Sequence, residues 1–157
     1  KRNTKRMATK VLYFHGKVKW AQLGLGPTPE DNADKEYKSW KLNLYLSDDS
    51  WKDFEKSGLQ LKRKTDDDGA YVTFRRPFSK VIKDDLTKFE APKVTNAEGE
   101  IFKDYIGNGS DAIIKVVVFD TKKGMGHRLE EVKVIELVDY KADAQKLVVG
   151  GREFAPF

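Results

Sequence analysis

The feature that most constrains this chain is a strict two-residue alternation of apolar and polar side chains, seen first over Lys10 to Ala21 and again over Tyr37 to Leu46. A two-residue period suits a strand with one face buried and cannot be laid on a helix, whose faces repeat every 3.6 residues. In the first stretch Leu12, Phe14, Val18 and Trp20 share one side, with Tyr13, His15, Lys17 and Lys19 on the other. In the second, Trp40, Leu42, Leu44 and Leu46 are expected inside and Tyr37, Ser39, Lys41, Asn43 and Tyr45 outside. Between them Gln22 to Glu36 carries Gly24, Gly26, Pro27, Pro29 and Asp31-Asn32, residues that make turns and interrupt ladder hydrogen bonds, so a loop is expected.

Ser47-Asp48-Asp49 predicts a helix start and Gly58 a stop, giving a short helix through Lys56 whose Trp51 and Phe54 pack on the sheet. Leu59 to Lys64 and Tyr71 to Arg76 read as two strands around Thr65-Asp66-Asp67-Asp68-Gly69, where Asp-Gly suits a tight turn. From Pro77 to Gly109 the pattern weakens into a long excursion tacked down by Val94, Ile101, Phe102, Tyr105 and Ile106. Asp111 to Asp120 is rich in β-branched residues and reads as a central strand. Lys122-Lys123-Gly124-Met125-Gly126 turns the chain into a last long strand, Arg128 to Tyr140. Six strands, one short helix and no βαβ rhythm point to an all-β fold, for which an OB-fold-like Greek-key barrel fits alongside meanders and small sandwiches.

The 157 residues suit one domain, expected over 10–140. The leader 1–9 reads either as a vector-derived extension before Met7 or as a basic arm, and 141–157 as a tether. Of the net charge of +5, four positive charges belong to Lys1, Arg2, Lys5 and Arg6, leaving +1 for the remainder, so global basicity says little about partners. Its distribution says more: no carboxylate precedes Glu30. The absence of cysteine excludes disulfides and thiol catalysis, and two isolated histidines, His15 and His127, do not make a zinc site. No apolar run is long enough for a membrane span. Asp66 to Asp68 are read as a hairpin tip, because consecutive carboxylates in a turn converge poorly on one ion, so no metal, cofactor or enzymatic activity is expected.

Gly107-Asn108-Gly109-Ser110, the β-branched strand, the Lys-Lys-Gly turn, Arg128-Leu129-Glu130 and Val132 to Val138 follow one another in an order and spacing worth noting. With Trp40 to Leu46 before the short helix, and the Asp-Asp-Gly hairpin running into Phe74-Arg75-Arg76-Pro77, they cover roughly 37–140. This pattern resembles the replication single-stranded DNA-binding proteins of podoviruses, a tailed-phage family. The resemblance implies an OB fold, strand binding without strong sequence preference during replication, recombination or repair, a homodimer, and the cytoplasm of an infected bacterium. It also implies an acidic C-terminal tail that docks phage DNA polymerase and helicase-primase. Here the chain departs from the pattern, since Glu153 is the only acidic residue after Asp143.

Single-stranded DNA offers a π face on every base and a phosphate on every step, so a sequence-independent groove needs aromatics and cations together. The outward faces supply Tyr13, Lys17 and Lys19, with His15 among them, then Lys41 and Tyr45, then Lys62, Lys64, Tyr71 and Arg75 on the hairpin. Lys122, Lys123 and Arg128, beside His127, are read as a basic rim. Adjacent Arg75 and Arg76 must point to opposite faces of a strand; Arg75 is assigned to DNA and Arg76 to a structural salt bridge. The competing reading from another class is a β-type protein-interaction or virion assembly domain, with the aromatics at a subunit contact.

Overall fold

Strand β1, Lys10–Gln22, is the centre of the architecture and has partners on both edges. In the computed structural model, which describes residues 9–138 and 147–154, it lies antiparallel to β2 (Ser39–Leu46) on one side and to β8 (Ser110–Thr121) on the other. Helix α1 (Asp48–Ser57) follows β2. Then come β3 (Lys64–Asp66) and β4 (Gly69–Pro77), a small hairpin of β5 (Ser79–Ile82) and β6 (Asp85–Lys88), and the short β7 (Lys93–Thr95). After β8, β9 (Gly124–Glu136) returns beside it. The main sheet has seven strands in the order β3-β4-β2-β1-β8-β9-β7, antiparallel throughout except for the parallel β7–β9 pair.

The sheet curls until β4 meets β9: the Arg75 amide donates to His127 Nε2 at 3.1 Å, and the His127 ring packs on Phe74 with centroids 5.9 Å apart. The result is an all-β, OB-like barrel in which β1, β2 and β4 run consecutively and β8 returns beside β1 in Greek-key fashion. Its core holds the inward-facing residues of β1, β2, β4, β8 and β9, among them Phe14, Leu42, Leu44, Phe74, Ile114 and Leu129, each almost fully buried. Gly16 sits where β1 and β2 press closest, and a Cβ there would lie 2.2 Å from the Tyr45 carbonyl oxygen, so only glycine permits that approach.

Helix α1 closes one side of the barrel. Its first turn carries Asp48 and Asp49 against the positive end of the dipole, and Gly58 ends it at φ 79°. The Ser47 side chain makes no capping hydrogen bond. Phe54 is buried against Phe14 and Phe74 at 5.9 and 6.4 Å, a burial worth about 1.5–3 kcal/mol. Trp51 packs edge-on to Phe54 at 5.6 Å, as expected from its spacing.

Several expected boundaries change. Leu59–Arg63 is not part of a strand, because only Lys64–Asp66 finds ladder partners on β4. The weakly patterned excursion after Pro77 contains β5, β6 and β7. Val94 and Ile106 are buried as expected and Phe102 and Tyr105 pack on the core, but Ile101 is exposed because its isolated bridge to Thr95 leaves its side chain outside. The last long strand ends at Glu136, with Asp139 and Tyr140 outside the described residues. Within the expected tether, Leu147–Val149 (β10) and Arg152–Phe154 (β11) form a hairpin; residues 1–8, 141–146 and 155–157 lie outside the described residues.

Trp20 is the clearest departure. It was expected in the core with Phe14 and Val18, but it is 62% exposed. The β1–β2 register shifts between Lys19 and Gln22, and Trp20 takes φ 53° in that bulge while its amide donates to Asn108 Oδ1 at 2.8 Å. Leu23 then takes up the buried series.

Candidate functional site

Because alternate residues of β1, β2 and β4 fill the barrel, the intervening ones share one outer surface, and the registers arrange them in cross-strand rows. In one row Lys17 stands beside Tyr45, and the Tyr45 ring lies 5.0 Å from Tyr71, which is paired in turn with Lys64 of β3. In the next, Lys19 stands beside Asn43 and Asn43 beside Thr73. In the third, Gln22 stands beside Lys41 and Lys41 beside Arg75. Seven of the expected positions, Lys17, Lys19, Lys41, Tyr45, Lys64, Tyr71 and Arg75, therefore come together on one face.

Hydrogen bonds stiffen the middle of this face. Thr73 Oγ1 donates to Asn43 Oδ1 at 2.7 Å and accepts from Lys64 Nζ at 3.3 Å, while Lys19 Nζ stands 5.5 Å from the Tyr45 ring centre. At one end Asp34 gathers Arg75 Nη1 at 2.9 Å and Lys41 Nζ at 3.3 Å. Arg75 also donates to Ser39 Oγ and lies over the Tyr37 ring at 4.7 Å. Burial pushes the Asp34 carboxyl up, but hydrogen bonds from Arg75, the Tyr37 amide and Lys41 outweigh it and hold the group at about 2. Arg75 is thus anchored by a partly buried carboxylate while its side chain remains about a third exposed.

At the other end the acidic hairpin tip reaches over the tyrosines. Asp66 accepts from the Tyr45 hydroxyl, Asp68 pairs with Lys19, and the Asp68 amide donates to Asp66 Oδ1 at 2.8 Å, which fixes the tip's shape. Burial, followed by the bond to Asp66, raises the Tyr45 phenol well above its usual range. On the β8 side Asp111 pairs with His15 Nε2 at 2.8 Å and lies 3.9 Å from Lys17, whose side chain stays 56% exposed.

The remaining expected positions are dispersed. Tyr13 is exposed on β1 opposite Lys115, where it lines a cleft of about 420 Å³ with Lys10, Asp53 and Lys56. Lys62 is exposed on the chain entering β3, and Lys122 and Lys123 are exposed beside the β8–β9 turn. Arg128 is elsewhere occupied: its Nε donates to Glu130 at 2.7 Å and its guanidinium lies 4.9 Å from the Phe89 ring. His127 accepts the Arg75 amide, and burial, then the Arg75 charge, lowers it to about 4. Arg76 forms the expected salt bridge, to Glu130 at 2.6 Å.

Sequence reasoning missed Trp20, and it placed Tyr37 and Asn43 outward without assigning them to the site. Tyr37 is 64% exposed under Arg75. A signal for Trp20 existed: the buried residues Phe14 and Val18 are even-numbered, whereas Leu23 and Leu25 are odd, so the frame must slip between them.

No protein-family model matches the chain, and no curated protein does. A solved structure is similar to this chain. It is the crystal structure of gp2.5, a single-stranded DNA binding protein encoded by bacteriophage T7, 19% identical in sequence. The match covers 85% of this chain and 96% of that one, with a TM-score of 0.48.

Proposed function

We propose that this chain is a non-enzymatic single-stranded DNA-binding protein of a bacteriophage, holding strands on the outer face of β1, β2 and β4 without reading their sequence. The single observation behind the proposal is the close, tilted Tyr45–Tyr71 pair with Lys17, Lys19 and Lys64 around it, a π surface ringed by cations. Bases stack on such rings regardless of identity, at about 1–3 kcal/mol each, and the cations take the intervening phosphates. Tyr37 under Arg75 and the exposed Trp20 of the β1 bulge add further aromatic surface. Four strands span about 14 Å, enough for a few nucleotides.

Coating exposed strands in the cytoplasm of an infected cell, during replication, recombination or repair, is the role that follows. A homodimer and contacts with phage DNA polymerase and helicase-primase belong to the same proposal. Titration of the intrinsic fluorescence with oligo-dT, duplex DNA and oligo-rU at two salt concentrations tests it, with exposed Trp20 as the reporter. Binding to oligo-dT is expected to exceed binding to duplex and to weaken with a log–log salt slope of roughly −2 to −3.5, for about three to five phosphates. No binding to any of the three at low salt overturns the proposal and favours a protein-interaction domain presenting the exposed Val81 and Leu86 of the β5–β6 hairpin.

A further inference from the structure

Resting on that reading of the face, we infer that Asp66 and Asp68 are specificity determinants, occupying its polar and cationic groups so that duplex DNA is rejected and single strands are admitted. The β3–β4 hairpin tip does not project freely into solvent. Asp66 accepts from the Tyr45 hydroxyl and Asp68 pairs with Lys19, so two carboxylates sit on the groups a phosphate would use. The geometry is built, because the Asp68 amide bonds to Asp66 Oδ1 and the Asp66–Gly69 register closes the turn. Asp68 nonetheless remains 57% exposed, so the contact is held by charge rather than by packing and a competing anion can replace it.

Replacement has different consequences for the two forms of DNA. A duplex approaching this face offers phosphates alone, since its bases are stacked on one another, and it must displace two carboxylates with no gain beyond the exchange of one anion for another. A single strand adds stacking on Tyr45 and Tyr71, which the carboxylates cannot supply. The acidic tip therefore costs a duplex, whose rigid backbone must face both carboxylates, more than a flexible single strand, which stacks on the rings and leads its phosphates past them, and this is discrimination by a built-in repulsive element. Asp67 occupies the same tip and carries the same charge but touches neither Tyr45 nor Lys19, so it separates occupancy of the site from the general field of the hairpin.

The test compares the full chain with D66N/D68N and with D67N, measuring affinity for oligo-dT and for a blunt duplex at low salt and at 1 M salt, roughly a 3 Å screening length. Asparagine keeps the side-chain shape and the turn hydrogen bond. D66N/D68N is expected to gain about tenfold for duplex and about threefold or less for oligo-dT at low salt, with the difference vanishing at high salt. D67N is expected to change both by less than about twofold. An unchanged duplex-to-single-strand ratio in D66N/D68N, or an equal effect from D67N, overturns the inference while leaving strand binding intact. Failure of the unaltered chain and all variants to bind either ligand overturns the functional proposal itself.

Discussion

Two parts of this barrel are built from the same ingredients, and one is more open than the other. On the β1–β2–β4 face, Lys17, Lys19, Lys41, Lys64 and Arg75 surround tyrosines; near β9, Arg76, Arg128 and Lys80 surround Phe89 and Phe119. In the second cluster Lys80 is exposed, but the two arginines are sealed in. Arg76 is 14% exposed and donates to Glu130, to the Glu90 carbonyl and to the Leu129 carbonyl, while Arg128 shares the same Glu130. Burial raises the Glu130 carboxyl, but its bond to Arg128 and the charges of both arginines bring it below its usual value. On the open face Asp68 at the turn tip is 57% exposed and a ligand can exchange it, while Asp111 and Asp34 are held more closely at the margins. Cations beside aromatic rings do not by themselves mark a binding surface; what decides is whether their partners can be displaced.

The largest expected effect lies at the seam where the sealed side meets β4. His127 titrates near 6.5 in the unfolded chain but is held to about 4 in the barrel, by burial first and then by Arg75, and its unprotonated Nε2 accepts the Arg75 amide. The unfolded state therefore binds more protons across that interval. Its contribution is present in full above pH 6.5 and is lost as pH falls through 4, up to about 3 kcal/mol. Melting temperature measured from pH 7 to pH 4 is expected to fall, and His127→Gln to flatten that dependence. Asp34, shifted from 3.8 to about 2, contributes stability above its unfolded value that is lost only at lower pH, so the two windows separate.

Next in size, Arg76→Ala is expected to cost about 2 kcal/mol, lowering the melting temperature by about 4–8 °C with oligo-dT affinity within about twofold of the parent. Loss of binding without loss of stability would invert the comparison. On the open face Tyr45→Ala is expected to weaken oligo-dT binding by about tenfold. Trp20→Ala should weaken it less, about fivefold, and leave the melting temperature unchanged, because its ring buries little. Smallest of all, Lys17→Ala is expected to lower affinity a few-fold and reduce the salt slope by about 0.7.

The same contrast explains what the sequence could and could not reveal. Alternation placed Phe14, Leu42, Leu44 and the outward Lys17, Lys41 and Tyr45 correctly, because a half-buried strand writes its faces into every second residue. It failed at Trp20, where one bulge changes the frame, and at β5 to β7, which are too short for a period to show. From the sequence, Arg75 and Arg128 are both assigned to the binding surface. Their partners, Asp34 for one and Glu130 for the other, are 41 and 2 residues away, and only the fold reveals that Arg75 lies over the exposed Tyr37 ring. Because Asp34 holds Arg75, Arg75→Ala would leave that carboxylate with only Lys41 and the Tyr37 amide and lower stability as well as affinity, which makes Tyr45 and Trp20 the cleaner probes.

The most direct test of the central claim is ultraviolet crosslinking of the full chain to oligo-dT, with the attached peptides mapped by mass spectrometry. Crosslinks at Trp20, Tyr37, Tyr45 or Tyr71 are the expected result. Crosslinks confined to Phe89 and Phe119, or none under conditions where the oligonucleotide is bound, would contradict the assignment of the open face.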